Sequence, residues 1–164
     1  LPEAQLDRFL LHIVLDYPSA EDELLILKRD RDQHYGVDKP DTLSPLHPET
    51  VLAARREVAE IHVDEMLEKY IVAMVGITRN LGELNPDWED FLLAGASPRA
   101  SIGLLRAASA IAYLRERDHV IPEDIIEIAP DVLRHRLILG YAARAANISC
   151  DDIIREIIAQ VPIP

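Results

Sequence analysis

With 164 residues, 49% hydrophobic and 28% charged, the chain is long and apolar enough for one domain with a core and too hydrophobic for a disordered segment. A formal net charge of −12 argues against a general nucleic-acid or anionic-membrane binder, because neutralising phosphates needs clustered Lys and Arg. No apolar run approaches the roughly 20 residues of a membrane span, and a single cysteine, Cys150, excludes an intrachain disulfide.

Aromatic residues are only 5% of the chain, and Leu, Ile, Val and Ala supply most of the apolar content, a balance that favours helices packed on helices. The opening Leu1-Pro2-Glu3 lacks the basic-then-apolar pattern of a secretory signal, and a start without Met suggests a fragment or a processed chain. A reducing, cytoplasmic setting is expected from the cysteine usage. Leu10 to Leu15 form an apolar run broken only by His12, the pattern of a short strand buried on both faces. Asp16 and Pro18 end it. No other stretch offers such a strand a sheet. In isolation, residues 1–17 are therefore expected to be disordered or to pair with another copy.

Ser19-Ala20-Glu21-Asp22 starts a helix that runs towards His34, with Gly36 as its stop and a loop over 37–47. Pro48 opens a helix over about 48–60. Asp64 caps a third, whose Leu67, Tyr70, Ile71, Met74 and Val75 recur as one buried stripe. Residues 80–94 carry Trp88 and Phe91 among acids, which fits a small hairpin, a partner-facing loop or, on balance, a cap on the core.

Ser97 suits an N-cap and Pro98 the first helical position. The helix from Pro98 to about Arg117 is apolar nearly all round and is expected at the centre of the bundle. Pro122 opens the next helix, although Ile121 is a poor capper. Ala129-Pro130 is expected to break it. Arg134-His135-Arg136, the densest basic cluster, reads as a structural helix end where cations suit the dipole. A short alanine-rich segment over 140–148 precedes a final helix capped by Ser149-Cys150-Asp151-Asp152.

Arg99 falls in the first turn of its helix, where a cation faces the positive end of the dipole. An anion is needed to answer it: a phosphate clamped between the helix N-terminus and the guanidinium, or a carboxylate such as Glu89 or Asp90. Arg106 lies seven residues on, near the same face, which fits a lid–core contact or a surface pair. The six histidines show no His-x-x-x-His spacing, so no metal site is expected. Cys150 has no marked catalytic partner. No G-x-x-x-x-G-K-[ST] sequence is present.

Gly95-Ala96-Ser97-Pro98-Arg99-Ala100 resembles the sensor-2 motif of the MoxR-type AAA+ ATPases, and Leu1-Pro2-Glu3-Ala4-Gln5-Leu6-Asp7-Arg8-Phe9 resembles their arginine-finger segment. The Val120-to-Leu139 region and the closing Val161-Pro162-Ile163-Pro164 fit as well, so the resemblance covers nearly the whole chain. It implies an all-α helical bundle, the AAA+ lid, preceded by one short strand left over from the α/β core. Residues 1–18 would end that core, and 19–164 would form the lid. The connection over 80–94 departs from the family in its length. By resemblance Arg8 is the finger, donated to the ATP of a neighbouring subunit. Ser97, Pro98 and Arg99 would contact the nucleotide of their own subunit, Arg99 sensing its γ-phosphate. The P-loop and the Mg²⁺-binding acids would lie upstream, so the fragment alone is expected to be inactive. The parent would use ATP and Mg²⁺ in a hexameric ring. It would remodel or mature client proteins alongside partners with a von Willebrand factor A-type domain. From the residues alone, the alternative is a non-enzymatic helical interaction module, with Trp88 and Phe91 on its binding surface.

Overall fold

The computed structural model describes residues 2–35 and 44–164. Within these the regular structure is helical apart from one small ribbon and an isolated bridge between His62 and His119, in the order α1 Glu3–Leu6, α2 Ala20–His34, α3 Pro48–Glu60, α4 Glu65–Ile77, β1 Leu92–Ala94, α5 Pro98–Leu114, α6 Pro122–Leu133, β2 Ile138–Leu139, α7 Tyr141–Ala145 and α8 Cys150–Gln160. It divides into two compact units, Leu1–Ile13 with Ala54–Pro164, and Val14–Ala53. The smaller unit holds α2, whose N-cap Ser19 accepts from the Asp22 N–H and which buries no side chain. The expected stop at Gly36 and most of the expected loop over 37–47 lie outside the described residues.

The larger unit holds the core. Asp64 caps α4 by accepting from the Met66 N–H at 2.7 Å. The stripe Leu67, Tyr70, Ile71, Met74 and Val75 is buried as its spacing requires. It faces α5, which packs against both α4 and α6. The inner face of α5 is built of small residues, among them Ala100, Gly103, Ala107, Ala108 and Ala112. Small side chains there let the neighbouring helices approach closely. As expected, the helix is covered on most sides, and its open face is marked by Ile102 at 49% and Leu114 at 79% exposure. It stops at Leu114 rather than near Arg117. Glu116 adopts φ 56°, and Arg117 N–H reaches the Ala112 carbonyl at 2.9 Å, the Schellman closure of a helix end. No glycine announces it.

Ile121 has no side-chain acceptor for α6. Asp124 supplies the missing half of the cap by accepting from the Ile121 N–H at 3.0 Å. The expected break at Ala129-Pro130 does not occur. Pro130 lies inside α6, where Ile125, Ala129, Val132 and Leu133 are all fully buried. That continuous packed stripe outweighs one missing backbone hydrogen bond near a helix end. In α8, Ser149 and Asp152 form a reciprocal capping box. The hydrogen bonds from the Ser149 hydroxyl and backbone N–H hold the Asp152 carboxyl down to about 2.

The strand expected over Leu10–Leu15 is not formed. Residues 11–19 have no regular structure, since a strand exists only through ladder hydrogen bonds to a neighbour and no neighbour is offered here. The ribbon lies elsewhere: β1 pairs antiparallel with β2, Leu92 opposite Leu139 and Ala94 opposite Ile138. Residues 81–88 form two single 3-10 turns, Leu81–Glu83 and Pro86–Trp88, rather than a hairpin. Trp88 stacks on Phe91 at 5.4 Å between ring centroids, and Phe91 is 8% exposed, so this aromatic pair caps the core.

Candidate anion-binding cleft

The N-terminus of α5 is positioned by the end of α4. Buried Thr78 donates to the Val75 carbonyl at 2.6 Å and accepts from the Ala96 N–H at 2.9 Å. Arg79 Nε donates to the Ala96 carbonyl at 2.9 Å. This clamp brings Gly95 so close that a Cβ there would lie 2.2 Å from the Thr78 carbonyl oxygen. Gly95 is thus required by close backbone approach. Gly95→Ala is expected to destabilise the protein by about 3 kcal/mol, the upper end for overpacking, because backbone is what must move. Thermal unfolding checks this, and an unchanged melting temperature would mean that the clamp is not rigid.

Ser97 caps α5, accepting from the Arg99 N–H at 3.2 Å, and Pro98 follows at the first helical position. Arg99 is answered by Asp7, not by Glu89 or Asp90: Nη1 donates to the Asp7 carboxylate at 3.1 Å. The Ser97 hydroxyl donates to the same carboxylate, 2.9 Å to its nearer oxygen. Arg136 Nε adds a third bond at 3.2 Å. Burial opposes ionisation of Asp7, but the bonds from Ser97 and Arg99 and the charge of Arg136 outweigh it, and its pKa lies below the ordinary value.

Arg134-His135-Arg136 is more than a helix end. Its side chains grip the N-terminal segment. Arg136 Nη2 donates to the Phe9 carbonyl at 2.7 Å, and Nη1 to the carbonyls of Leu10 and Val132. His135 Nε2 donates to the Phe9 carbonyl at 3.1 Å; burial pulls its pKa down and keeps it neutral near pH 7. Arg134 donates to the His12 carbonyl at 2.7 Å, while His12 N–H reaches the Asp131 carbonyl at 2.8 Å. Residues 7–12, part of the segment expected to be disordered or to pair with another copy, are therefore docked on the bundle through hydrogen bonds to their backbone. Gly103 leaves the room: a Cβ there would meet Val132 Cγ1 at 3.2 Å and the Leu10 side chain at 3.6 Å.

Docking brings Arg8 to a cleft of about 410 Å³ that Arg99 and Arg106 also line, with Arg136 and Asp7 in its wall. Four guanidinium groups face one carboxylate, a surplus of three positive charges in a chain of net charge −12. Such a concentration favours an anion with several oxygens. Arg8 and Arg99, read from the sequence, are brought together. Ser97 spends its hydroxyl on Asp7 and the helix start, and Pro98 offers no donor. Arg106 faces the cleft rather than a surface partner among the described residues. Sequence reasoning missed Asp7, Thr78 and Arg79, and gave Arg136 only the role of a helix end. Asp7 carried a signal in its place beside Arg8 and Arg136 in its basic cluster, while Thr78 and Arg79 carried none.

Among the described residues, no cluster of three His, Cys, Asp or Glu side chains is arranged to hold a metal ion, and no helix is long and apolar enough to cross a membrane.

Residues 89–157 match the AAA lid domain family, a span that includes the α5 start and Arg134–Arg136 but not Arg8. Over its whole length the chain is 42% identical to the chaperone MoxR1 of Mycobacterium tuberculosis and 39% identical to the protein YeaC of Bacillus subtilis. It covers 42% and 48% of those proteins. A crystal structure from Cytophaga hutchinsonii, of a protein assigned as an ATPase, superposes with a TM-score of 0.91 at 41% identity, covering all of this chain and 49% of that one. The chain thus spans less than half the length of these relatives.

Proposed function

The chain is the lid-bearing portion of a MoxR-type AAA+ ATPase, and from that premise we propose that its arginine cleft reads the terminal phosphates of ATP where two subunits of a ring meet. Arg8 is the finger, supplied to the nucleotide of a neighbouring subunit. It stabilises charge that develops on the transferred phosphoryl oxygens. Arg99 is the sensor of the γ-phosphate, and Ser97 and Pro98 set its place in the first turn of α5. The sequence reading sent the two arginines to different nucleotides. Their shared cleft supports one anion addressed by both, with Arg106 as a further cation at its edge.

In this reading residues 1–18 end the nucleotide-binding core and 19–164 form the lid. The grip of Arg134–Arg136 on residues 7–12 then ties the finger to the lid, so a change in phosphate contact moves both together. ATP and Mg²⁺ are held mainly by residues outside this chain. The parent, a cytoplasmic hexameric ring, uses hydrolysis to remodel or mature client proteins, with von Willebrand factor A-type domain proteins as partners. The chaperone name of the Mycobacterium relative supports that role.

The observation that carries the proposal is the convergence of Arg8, Arg99 and Arg106 on one cleft. Full-length protein with Arg99→Ala is expected to lose about 10²-fold in steady-state ATP turnover with its assembly intact, the scale of one lost transition-state donor. Unchanged turnover and unchanged nucleotide affinity would leave Arg99 a structural residue and overturn the reading.

A further inference from the structure

Asp7 stands at the centre of the cleft's wall, and its role follows from how its neighbours divide their donors. Its carboxylate, 19% exposed, binds groups from three separate places: Ser97 at the helix cap, Arg99 in the first turn, and Arg136 after α6. Arg136 is 3% exposed, and its Nε, Nη1 and Nη2 all bind protein oxygens. It has nothing left for a ligand. Arg99 is 58% exposed and gives only Nη1 to Asp7. A guanidinium carries five N–H donors in one rigid plane, so Arg99, which lines the cleft, keeps donors that no protein group takes among the described residues.

We infer that Asp7 is the positioning residue of this cleft: it holds the Arg99 guanidinium from behind, so that a phosphate meets a fork already aimed. This rests on the phosphate-reading role proposed above. The arrangement parallels the outer carboxylates that orient ligating side chains in metal sites. Arg136 makes it electrostatically workable. The Asp7 charge is answered within the wall by Arg136, so Arg99 keeps its attraction for an incoming anion. Arg8 follows Asp7 in the chain, but the backbone beyond it is held by His135 and Arg136 on the carbonyls of Phe9 and Leu10, so the Asp7 carboxylate acts on the cleft through Arg99.

The test is a double-mutant cycle on the full-length protein, with ATP as the probe: unchanged, Asp7→Asn, Arg99→Ala, and both together, each with kcat, KM and melting temperature. Asparagine keeps the shape but loses the charge and one acceptor. Asp7→Asn is expected to lower kcat/KM about 10–100-fold, the usual loss on removing an orienting partner. In the Arg99→Ala background it is expected to lower it no further. Losses that multiply, or a lowered melting temperature with unchanged turnover, would make Asp7 a structural residue and overturn the inference alone. An Arg99→Ala protein with undiminished turnover would overturn the phosphate reading, and the inference with it. Should Asp7→Asn fail to fold, Asp7→Glu serves instead: it keeps the charge and displaces the oxygens by one methylene. Loss of turnover in a folded Asp7→Glu protein supports positioning, and full turnover overturns it.

Discussion

Full-length protein carrying Arg8→Ala is expected to lose ATP turnover by about 10³-fold or more while keeping its fold, its assembly and its affinity for ATP. Arg8 is exposed at the cleft, so its side chain contributes little to stability. In the proposed finger role its effect would fall on the transition state, where charge on the phosphoryl oxygens is greatest. The direction of its action is separable. Arg8→Ala subunits mixed with subunits unable to bind nucleotide are expected to recover part of the turnover, because the second kind donates an intact Arg8 to ATP held by the first. Turnover that survives Arg8→Ala alone would make Arg8 a surface residue. Turnover that is lost alone and not recovered by mixing would place its action within its own subunit.

Asp124→Ala is expected to destabilise the fold by about 3 kcal/mol, seen as a melting temperature lowered by roughly 6–12 °C. Asp124 is fully buried. It accepts from the Ile121 N–H at 3.0 Å, from Arg115 at 3.2 Å, and from Arg117 at 2.8 and 2.5 Å. It thus caps α6 and joins that helix to the end of α5. Alanine leaves the backbone N–H and the guanidinium groups without their acceptor. The magnitude sits at the lower end for a broken buried pair, because Arg115 and Arg117 are 45% and 23% exposed and water reaches them once freed.

The pH dependence has a definite sign. Burial works against the Asp124 charge, but the Arg117 hydrogen bond, the Ile121 N–H and the two guanidinium charges hold its pKa below the ordinary carboxylate value. Its contribution is then complete above the unfolded value near pH 4 and is lost as pH falls through the folded value. The stability gap between the unchanged protein and Asp124→Ala is expected to narrow on acidification below about pH 4. A gap constant through that range would mean that Asp124 contributes packing rather than charge.

Helix starts were legible because capping is local. Ser19, Asp64, Ser97 and Ser149 each bond a backbone N–H two or three residues away, and Pro48, Pro98 and Pro122 stand in the first turn. The stripe from Leu67 to Val75 was legible because burial repeats with the helical period. Helix ends were less so. Glu116 closes α5 in a left-handed conformation that its side chain does not advertise, and Pro130 rides inside α6 on the packing around it. The run Leu10–Leu15 misled for a related reason. Apolarity marks a segment that can be buried, while a strand needs a partner that the segment does not contain.

By itself, then, the sequence determined where most helices start, the side-chain caps of Ser19, Asp64, Ser97 and Ser149, and the buried stripe, all of which arise from neighbours within about one or two helical turns. Only the tertiary structure decided what the arginines of the cleft meet. Asp7 bonds Arg99 across 92 positions and Arg136 across 129, and no local pattern encodes either pairing. The cleft exists because α5 offers Gly103 and the 3-10 turn after α6 carries Arg136, so the N-terminal segment settles between them and carries Arg8 to Arg99. Hydrogen bonds and charges of that kind depend on which surfaces the packed core brings within 3 Å or so of one another, and that is a property of the folded chain alone.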